Sequence, residues 1–180
     1  MISEKMRTLN YRPSALVRVT GEDAFTFLQG QFTNELRQPP GSVSYGLWLN
    51  QKAKVLADSQ VLRISEKEFL ICSEFSPAAI IRQRLEEYIV ADDVAVADET
   101  ATGHALALWG EGGKAAITRL FGEAPVSGRF VRSGELLVYG GRRLPGDNWE
   151  ILGSEMALRE IGEQLQAAGA VEIKIGRAHV

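Results

Sequence analysis

Two stretches of this chain share one plan. "VRVTGEDAFTFL", starting at Val17, and "LALWGEGGKAAITRLF", starting at Leu106, each pass from an apolar strand-like run through a glycine into a segment with helical spacing. A plan repeated at that separation marks a duplicated unit and limits the chain to folds built from two similar halves. The segments after each copy agree with this. "SVSYGLWLN", "KVLADSQVLRIS" and "EFLICSE" are strand candidates, the last two flanking "EKE" as a hairpin; "SPAAIIRQRLEEYI" and "VAVAD" supply a helix and a closing strand. In the second half, "GRFVRSGELLVYGGRRLPGDNWEILG" holds strands broken by Gly134, Gly140, Gly141 and Gly146. The helix "SEMALREIGEQLQAAGA" and the strand "VEI" come after it. The prediction is an α+β fold of two pseudo-repeated β-α-β-β-β-α-β lobes, with antiparallel or mixed sheets and helices packed on one face. The first lobe is placed at residues 1–100 and the second, incomplete, at residues 101–174.

The helices carry their own punctuation. Ala24, Leu28 and Phe32 share a face of the first, behind a capping-box pattern made by Thr20 and Asp23. Ser76 reads as the N-cap of the second, Pro77 as its first residue, and Ile81, Leu85 and Tyr88 as its buried stripe. Ile117, Leu120 and Phe121 face inward on the third. The fourth is capped by Ser154, stopped at Gly169 and striped by Leu158, Ile161 and Leu165. The glycines of "GEGGKA" fall short of a phosphate-loop or dinucleotide pattern and read as a strand-to-helix turn.

Composition removes several chemistries. With 180 residues, 45% of them hydrophobic and 24% charged, the chain has the make-up of a soluble globular protein. A net charge of −3 and the lack of a basic stripe interleaved with aromatics give no support to direct nucleic-acid binding. No apolar run reaches membrane-spanning length, and "MISEKMRTLN" lacks the apolar centre of a secretory signal, so the cytoplasm is the expected location. The single cysteine, Cys72, sits in an apolar strand and reads as core. It excludes a disulfide framework or a cysteine-rich metal site within the chain. His104 and His179 are the only imidazoles, and His104 has no acid or second histidine at ligand spacing. No metal site is expected, and serine–histidine or cysteine–histidine catalysis lacks its parts.

The tail "IGRAHV" stands apart. Back-translated as ATC GGA AGA GCA CAC GTC, it matches one frame of a common sequencing adapter, so Ile175–Val180 read as read-through rather than native sequence.

"LVRVTGEDAFTFLQGQFTNEL" followed by "YGLWLNQKAKVLADSQVLRI" resembles the folate-binding T-protein superfamily, and within it the YgfZ type. The likeness runs over most of Leu16–Ile173 and is sharpest in "FLQGQ-x-T" with "LN-x-K-x-K-V". It implies tetrahydrofolate, or a one-carbon derivative, as cofactor. It also implies a role in assembly or repair of certain iron–sulfur enzymes, including tRNA-modifying ones, so that the expected partners are reduced folate and iron–sulfur client enzymes. Gln31, Thr33 and Asn34, which come after the first helix, would line the folate pocket; the alternative is that they cap the helix end and satisfy its backbone.

A reduced pterin is a flat ring whose amide N–H and exocyclic amine suit one carboxylate, at about 1.5–3 kcal/mol for each hydrogen bond to a charged group. Given the resemblance, Asp58 is the first-half candidate, and Asp147 and Glu150, beside Trp149, are the second-half ones. Tyr45 and Trp48 offer ring surface or core packing. Arg142 and Arg143 would meet the glutamate tail or simply occupy an exposed strand end.

Departures from the superfamily pattern matter too. Aminomethyl-transferring T-proteins carry a glycine pair and an acidic pair where this chain has "LNQKAKVLADSQV". Lys52-Ala53-Lys54 replaces the glycines, Ala57 stands at the first acid and Asp58 at the second. The lysine pattern is that of the YgfZ type, with Ala53 in place of its usual glycine. The K-G-C-Y-x-G-Q-E signature of that type is absent from these residues. No catalytic residue is assigned, and a folate-dependent aminomethyltransferase or a folate-free interaction domain are the rival expectations.

Overall fold

A computed structural model describes residues 5–174, in two compact units: residues 12–103, and residues 5–11 together with residues 104–174. The supposed adapter residues Ile175–Val180 and His179 lie outside the described residues. The chain opens with β1 (Arg7–Tyr11). It then builds the Arg12–Gly103 unit from β2 (Ala15–Thr20), α1 (Ala24–Gln31), β3 (Val43–Leu49), β4 (Val55–Ser65), β5 (Glu68–Ser73), α2 (Ala78–Glu86) and β6 (Ala95–Asp98). The other unit continues as β7 (His104–Trp109), α3 (Gly113–Phe121), β8 (Phe130–Ser133), β9 (Leu136–Gly140), β10 (Asn148–Gly153), α4 (Glu155–Ala167) and β11 (Val171–Glu172). Both runs are β-α-β-β-β-α-β, the α+β duplication read from the sequence.

The sheets show the duplication again. One has the order β3-β4-β5-β2-β6 and the other β8-β9-β10-β7-β1-β11. Strand for strand these are the same sheet, except that β1 is wedged between β7 and the closing strand. β1 runs antiparallel to β7 and parallel to β11, the one parallel pairing among the described strands. This corrects the expectation that residues 1–100 all belong to the first lobe. Arg7–Tyr11 pairs along its whole length with Ala105–Trp109 and buries Thr8 and Leu9, so its ladder lies in the second sheet.

Each unit has its own core. In the first, Ala15, Val17 and Val19 of β2, Phe69 and Ile71 of β5, and Ala57 and Val61 of β4 meet Leu28 of α1 and Ile81 and Leu85 of α2. In the second, Leu106, Leu108 and Ile151 meet Ile117 of α3 and Leu158, Ile161 and Leu165 of α4. Burying each of the valine, leucine, isoleucine and phenylalanine side chains stabilises by about 1.5–3 kcal/mol. Strand residues alternate faces, so Asp58 and Gln60 on β4 and Leu70 and Cys72 on β5 lie opposite the helices. Trp48 belongs to the core. It is 0% exposed, its ring centroid lies 4.9 Å from that of Phe32, and its Nε1 donates to Ser59 Oγ at 2.9 Å. Gly46 lets Phe32 reach it, since a Cβ there would stand 2.7 Å from the Phe32 ring.

Two expected caps are not caps. Asp23 precedes α1, but its carboxylate accepts from the Asp93 backbone N–H at 2.8 Å and makes no cap bond. At α2 the N-cap is Pro77, with no side-chain cap, and Ser76 is engaged elsewhere. Ser154 caps α4 as expected, accepting from the Ala157 N–H at 3.2 Å.

Candidate functional site

The polar segment after α1 runs beside β3, whose outer edge is open because β3 ends its sheet. The Thr33 N–H donates to Leu47 O at 3.2 Å, and the Leu47 N–H donates to Thr33 Oγ1 at 2.8 Å. Asn34 Nδ2 donates to Tyr45 O at 2.8 Å, while Asn34 Oδ1 accepts from the Glu35 N–H at 2.7 Å. Gln29 closes the segment by donating to Asn34 O at 3.2 Å and accepting from the Leu36 N–H at 2.7 Å. Of the two sequence readings, Thr33 and Asn34 therefore take the backbone-satisfying one, and they cover a strand edge rather than cap a helix. Gln31 is half-buried at the end of α1, with no side-chain hydrogen bond among the described residues.

Asp58 has a different setting. β4 outruns β5, for Gln60–Cys72 is their last pair, so the backbone N–H of Asp58 has no strand partner on that side. Ser76, arriving in the turn before α2, takes its place. Ser76 Oγ accepts the Asp58 N–H at 3.0 Å and donates to Asp58 Oδ1 at 2.6 Å. Tyr45, diagonal to Asp58 on β3, donates its hydroxyl to Asp58 Oδ2 at 3.0 Å. The carboxylate is thus half-buried and fixed at both oxygens. The same stretch carries exposed apolar groups: Val55 is 59% exposed, Leu56 38% and Phe75 75%. The ladder slips beside Leu56, because Trp48 pairs Ala57 while Leu49 pairs Val55, leaving Leu56 as the additional residue of a bulge. Ala57 faces the helices and is 3% exposed.

The tip of the β3–β4 hairpin is organised by Asn50, whose Oδ1 accepts from the N–H groups of Lys52 at 2.9 Å and Lys54 at 3.0 Å. Between the lysines Ala53 takes φ 57°, a left-handed conformation that costs an L side chain about 1–2 kcal/mol and glycine nothing. The turn therefore favours glycine at this position. Ala53→Gly is expected to stabilise the chain by about 0.5–1 kcal/mol, glycine's extra unfolded freedom offsetting part of the relief. A thermal melt that falls, rather than rises by a few degrees, would refute this.

In the second unit Glu150 is 5% exposed, accepting from the Tyr11 hydroxyl at 2.7 Å and from Arg143 Nε at 3.2 Å. The Arg143 guanidinium also lies over the Tyr11 ring, 4.2 Å from its centroid. Arg143 is therefore no exposed strand end but a half-buried partner of the buried Glu150, while Arg142 is exposed. Asp147 is exposed in the loop before β10 and does not join Glu150. The structure thus gathers Tyr45 with Asp58, and Glu150 with Arg143. Sequence reasoning missed Ser76 and Tyr11. The Ser-Pro pair resembles a helix start, and Tyr11 lies in a strand whose partners are distant in sequence. Among the described residues no group of three or more His, Cys, Asp and Glu side chains is placed to hold a metal ion, and no helix is long and apolar enough to cross a membrane.

Residues 4–139 match the family described as the GCVT N-terminal domain. Over 108 residues the chain is 28% identical to proteins named aminomethyltransferase from two strains of Leptospira biflexa serovar Patoc, a match covering 58% of this chain and 29% of theirs. Among solved structures, the glycine cleavage system aminomethyltransferase T from Bartonella henselae superimposes with a TM-score of 0.81 at 18% identity, over 95% of this chain and 48% of that one. A chain of the heterotetrameric sarcosine oxidase from Corynebacterium sp. U-96, solved with pyrrole 2-carboxylate, gives 0.59 at 15% identity, over 94% of this chain and 88% of that one. The matched region thus spans less than a third of the curated relatives' length.

Proposed function

The chain belongs to the GCVT N-terminal domain family, and we propose that within it this is a tetrahydrofolate-binding protein of the YgfZ type. Its ligand is reduced folate or a one-carbon derivative, its clients are iron–sulfur enzymes, including ones that modify tRNA, and its compartment is the cytoplasm. The observation that carries the reading is the anchored Asp58 carboxylate beside exposed Val55, Leu56 and Phe75. A flat ring with a donor edge needs both features, an apolar surface for its face and a fixed acceptor for its edge. The lysine-flanked turn at Ala53 supports the YgfZ type.

The residues present fit that ligand in the first unit. Two hydroxyls occupy one acceptor position on each Asp58 oxygen, leaving a carboxylate able to take two further donors. Glu150 is already bonded to Tyr11 and Arg143, so it is assigned to holding its own unit together rather than to the ligand. When bound, tetrahydrofolate supplies a nitrogen that carries a one-carbon unit; Asp58 orients the ring.

The test is a titration of tetrahydrofolate monitored by the fluorescence of Trp48, Trp109 and Trp149. Saturable quenching is expected, with Asp58→Asn weakening it about 10- to 100-fold, the loss of hydrogen bonds to a charged acceptor. No response, together with an unmoved melting temperature at high ligand, would leave a folate-free scaffold.

One observation favours a second reading, a folate-dependent aminomethyltransferase. Ala57 faces the core, so the acid missing there takes nothing from the Asp58 face. Methylene transfer by the unaltered chain would establish that reading over the first.

A further inference from the structure

Resting on the folate reading of Asp58, we propose that Ser76 and Tyr45 are positioning residues that fix the orientation of the Asp58 carboxylate, so that its remaining lone pairs are aimed at an edge of two hydrogen-bond donors on the ligand. A serine hydroxyl has a single proton to give. Ser76 Oγ already accepts the Asp58 N–H at 3.0 Å, so its own proton is directed elsewhere, and Asp58 Oδ1 at 2.6 Å is the recipient. That distance falls in the short range of hydroxyl bonds to ionised oxygen. The backbone of Ser76 is held as well, its N–H donating to Ser73 Oγ at 3.0 Å. Pro77 comes next, and α2 starts without any side-chain cap, so the hydroxyl best placed to cap that helix is committed to the carboxylate instead. On the other oxygen the Tyr45 hydroxyl donates at 3.0 Å.

The consequence is directional. A carboxylate only accepts, and the two hydroxyls each take one lone pair, one on Oδ1 and one on Oδ2, which sets where the remaining lone pairs point. An amidine-like edge, with a ring N–H beside an exocyclic amine, satisfies both. A ligand turning a carbonyl toward this position meets an oxygen-on-oxygen contact. Ser76 also ties the carboxylate to the turn before α2, which fixes the carboxylate plane before any ligand arrives.

The experiment measures tetrahydrofolate dissociation constants by tryptophan fluorescence on the 180-residue chain, with melting curves in parallel. It compares the wild type with Ser76→Ala, Ser76→Thr, Asp58→Asn and the double variant Asp58→Asn/Ser76→Ala. Ser76→Ala is expected to bind about tenfold more weakly, the worth of one hydrogen bond to a charged group. Ser76→Thr, which keeps the hydroxyl, should restore most of it. In the Asp58→Asn background, Ser76→Ala should cost nothing further, because its effect runs through the carboxylate. Ser76→Ala binding like the wild type overturns the proposal. So does a tenfold loss that persists without the Asp58 carboxylate, since Ser76 would then act only on the scaffold. A wild type that does not respond, or an Asp58→Asn variant that binds normally, overturns the folate reading itself and the role of Ser76 with it.

Discussion

Gly21→Ala is expected to lower the melting temperature by roughly 6–12 °C, a loss of about 3 kcal/mol spread over a chain of this size. Two costs coincide at this residue. Its φ is 139°, a region that L side chains rarely adopt, at about 1–3 kcal/mol. A Cβ there would also stand 1.9 Å from the carbonyl oxygen of Asp93 and 2.7 Å from its carbonyl carbon. The obstacle is backbone, and it cannot step aside. Gly21 N–H is tied to Lys67 O at 3.1 Å, and Asp23 N–H to Asp93 O at 3.2 Å. Asp23 Oδ2 holds the Asp93 N–H in return at 2.8 Å. The first bond ties the turn between β2 and α1 to the β4–β5 hairpin and the two with Asp93 sew the loop before β6 onto it, so the substitution must break one of them or accept the overlap. A circular-dichroism melt reads the result; a fall under about 2 °C would mean that the loop yields freely and the stitching is weak.

The same glycine is the sequence's plainest signal, since it ends the strand in the first copy of the repeat and sets the pace of everything after it. Strand and helix order were legible because apolar residues at Val17, Val19, Leu28, Ile81 and Leu85 recur at the periods that secondary structure imposes. β1 was not legible. "RTLNY" offers only Leu9 and Tyr11 as markers, and its partners β7 and β11 lie far along the chain, so no local pattern announces which sheet will take it.

The site was legible in part, for a related reason. Asp58 stands out as an acid amid apolar strand residues, and Tyr45 shares its face by alternation across the hairpin. Ser76 was masked by ambiguity, because Ser-Pro before an apolar periodic run signals a helix start whether or not the hydroxyl caps it. The deciding feature is that β5 stops short of Asp58, a length mismatch that no local window contains. The amides after α1 posed the reverse problem. Polar crowding beside a cleft and polar crowding along a sheet edge look alike in sequence, and only the partners of Thr33 and Asn34 distinguish them.

Ala57→Asp, which would complete the acidic pair that the T-protein resemblance leads one to expect, is expected to destabilise the chain by about 3–5 kcal/mol at neutral pH. Adjacent residues on a strand face opposite sides, so an acid pair at 57 and 58 cannot both meet a ligand on one face. Ala57 pairs with Trp48, which is 0% exposed, and both lie in the helix-side core. A carboxylate there loses water without gaining a cation, which raises its pKa above the unfolded value. The folded state then holds a proton that the unfolded state has released. The damage is therefore largest above the raised pKa and shrinks as pH falls toward the unfolded value near about 4. Melting curves between about pH 4 and pH 8 should converge at the acid end on those of Ala57→Asn, whose buried amide gives a pH-independent deficit. An Ala57→Asp chain that melts like the wild type at about pH 8 would mean that β4 has slid by one residue past the irregularity at Leu56, turning position 57 outward. Asp58 would then point into the core, and the anchored carboxylate on which the folate reading stands would be lost with it.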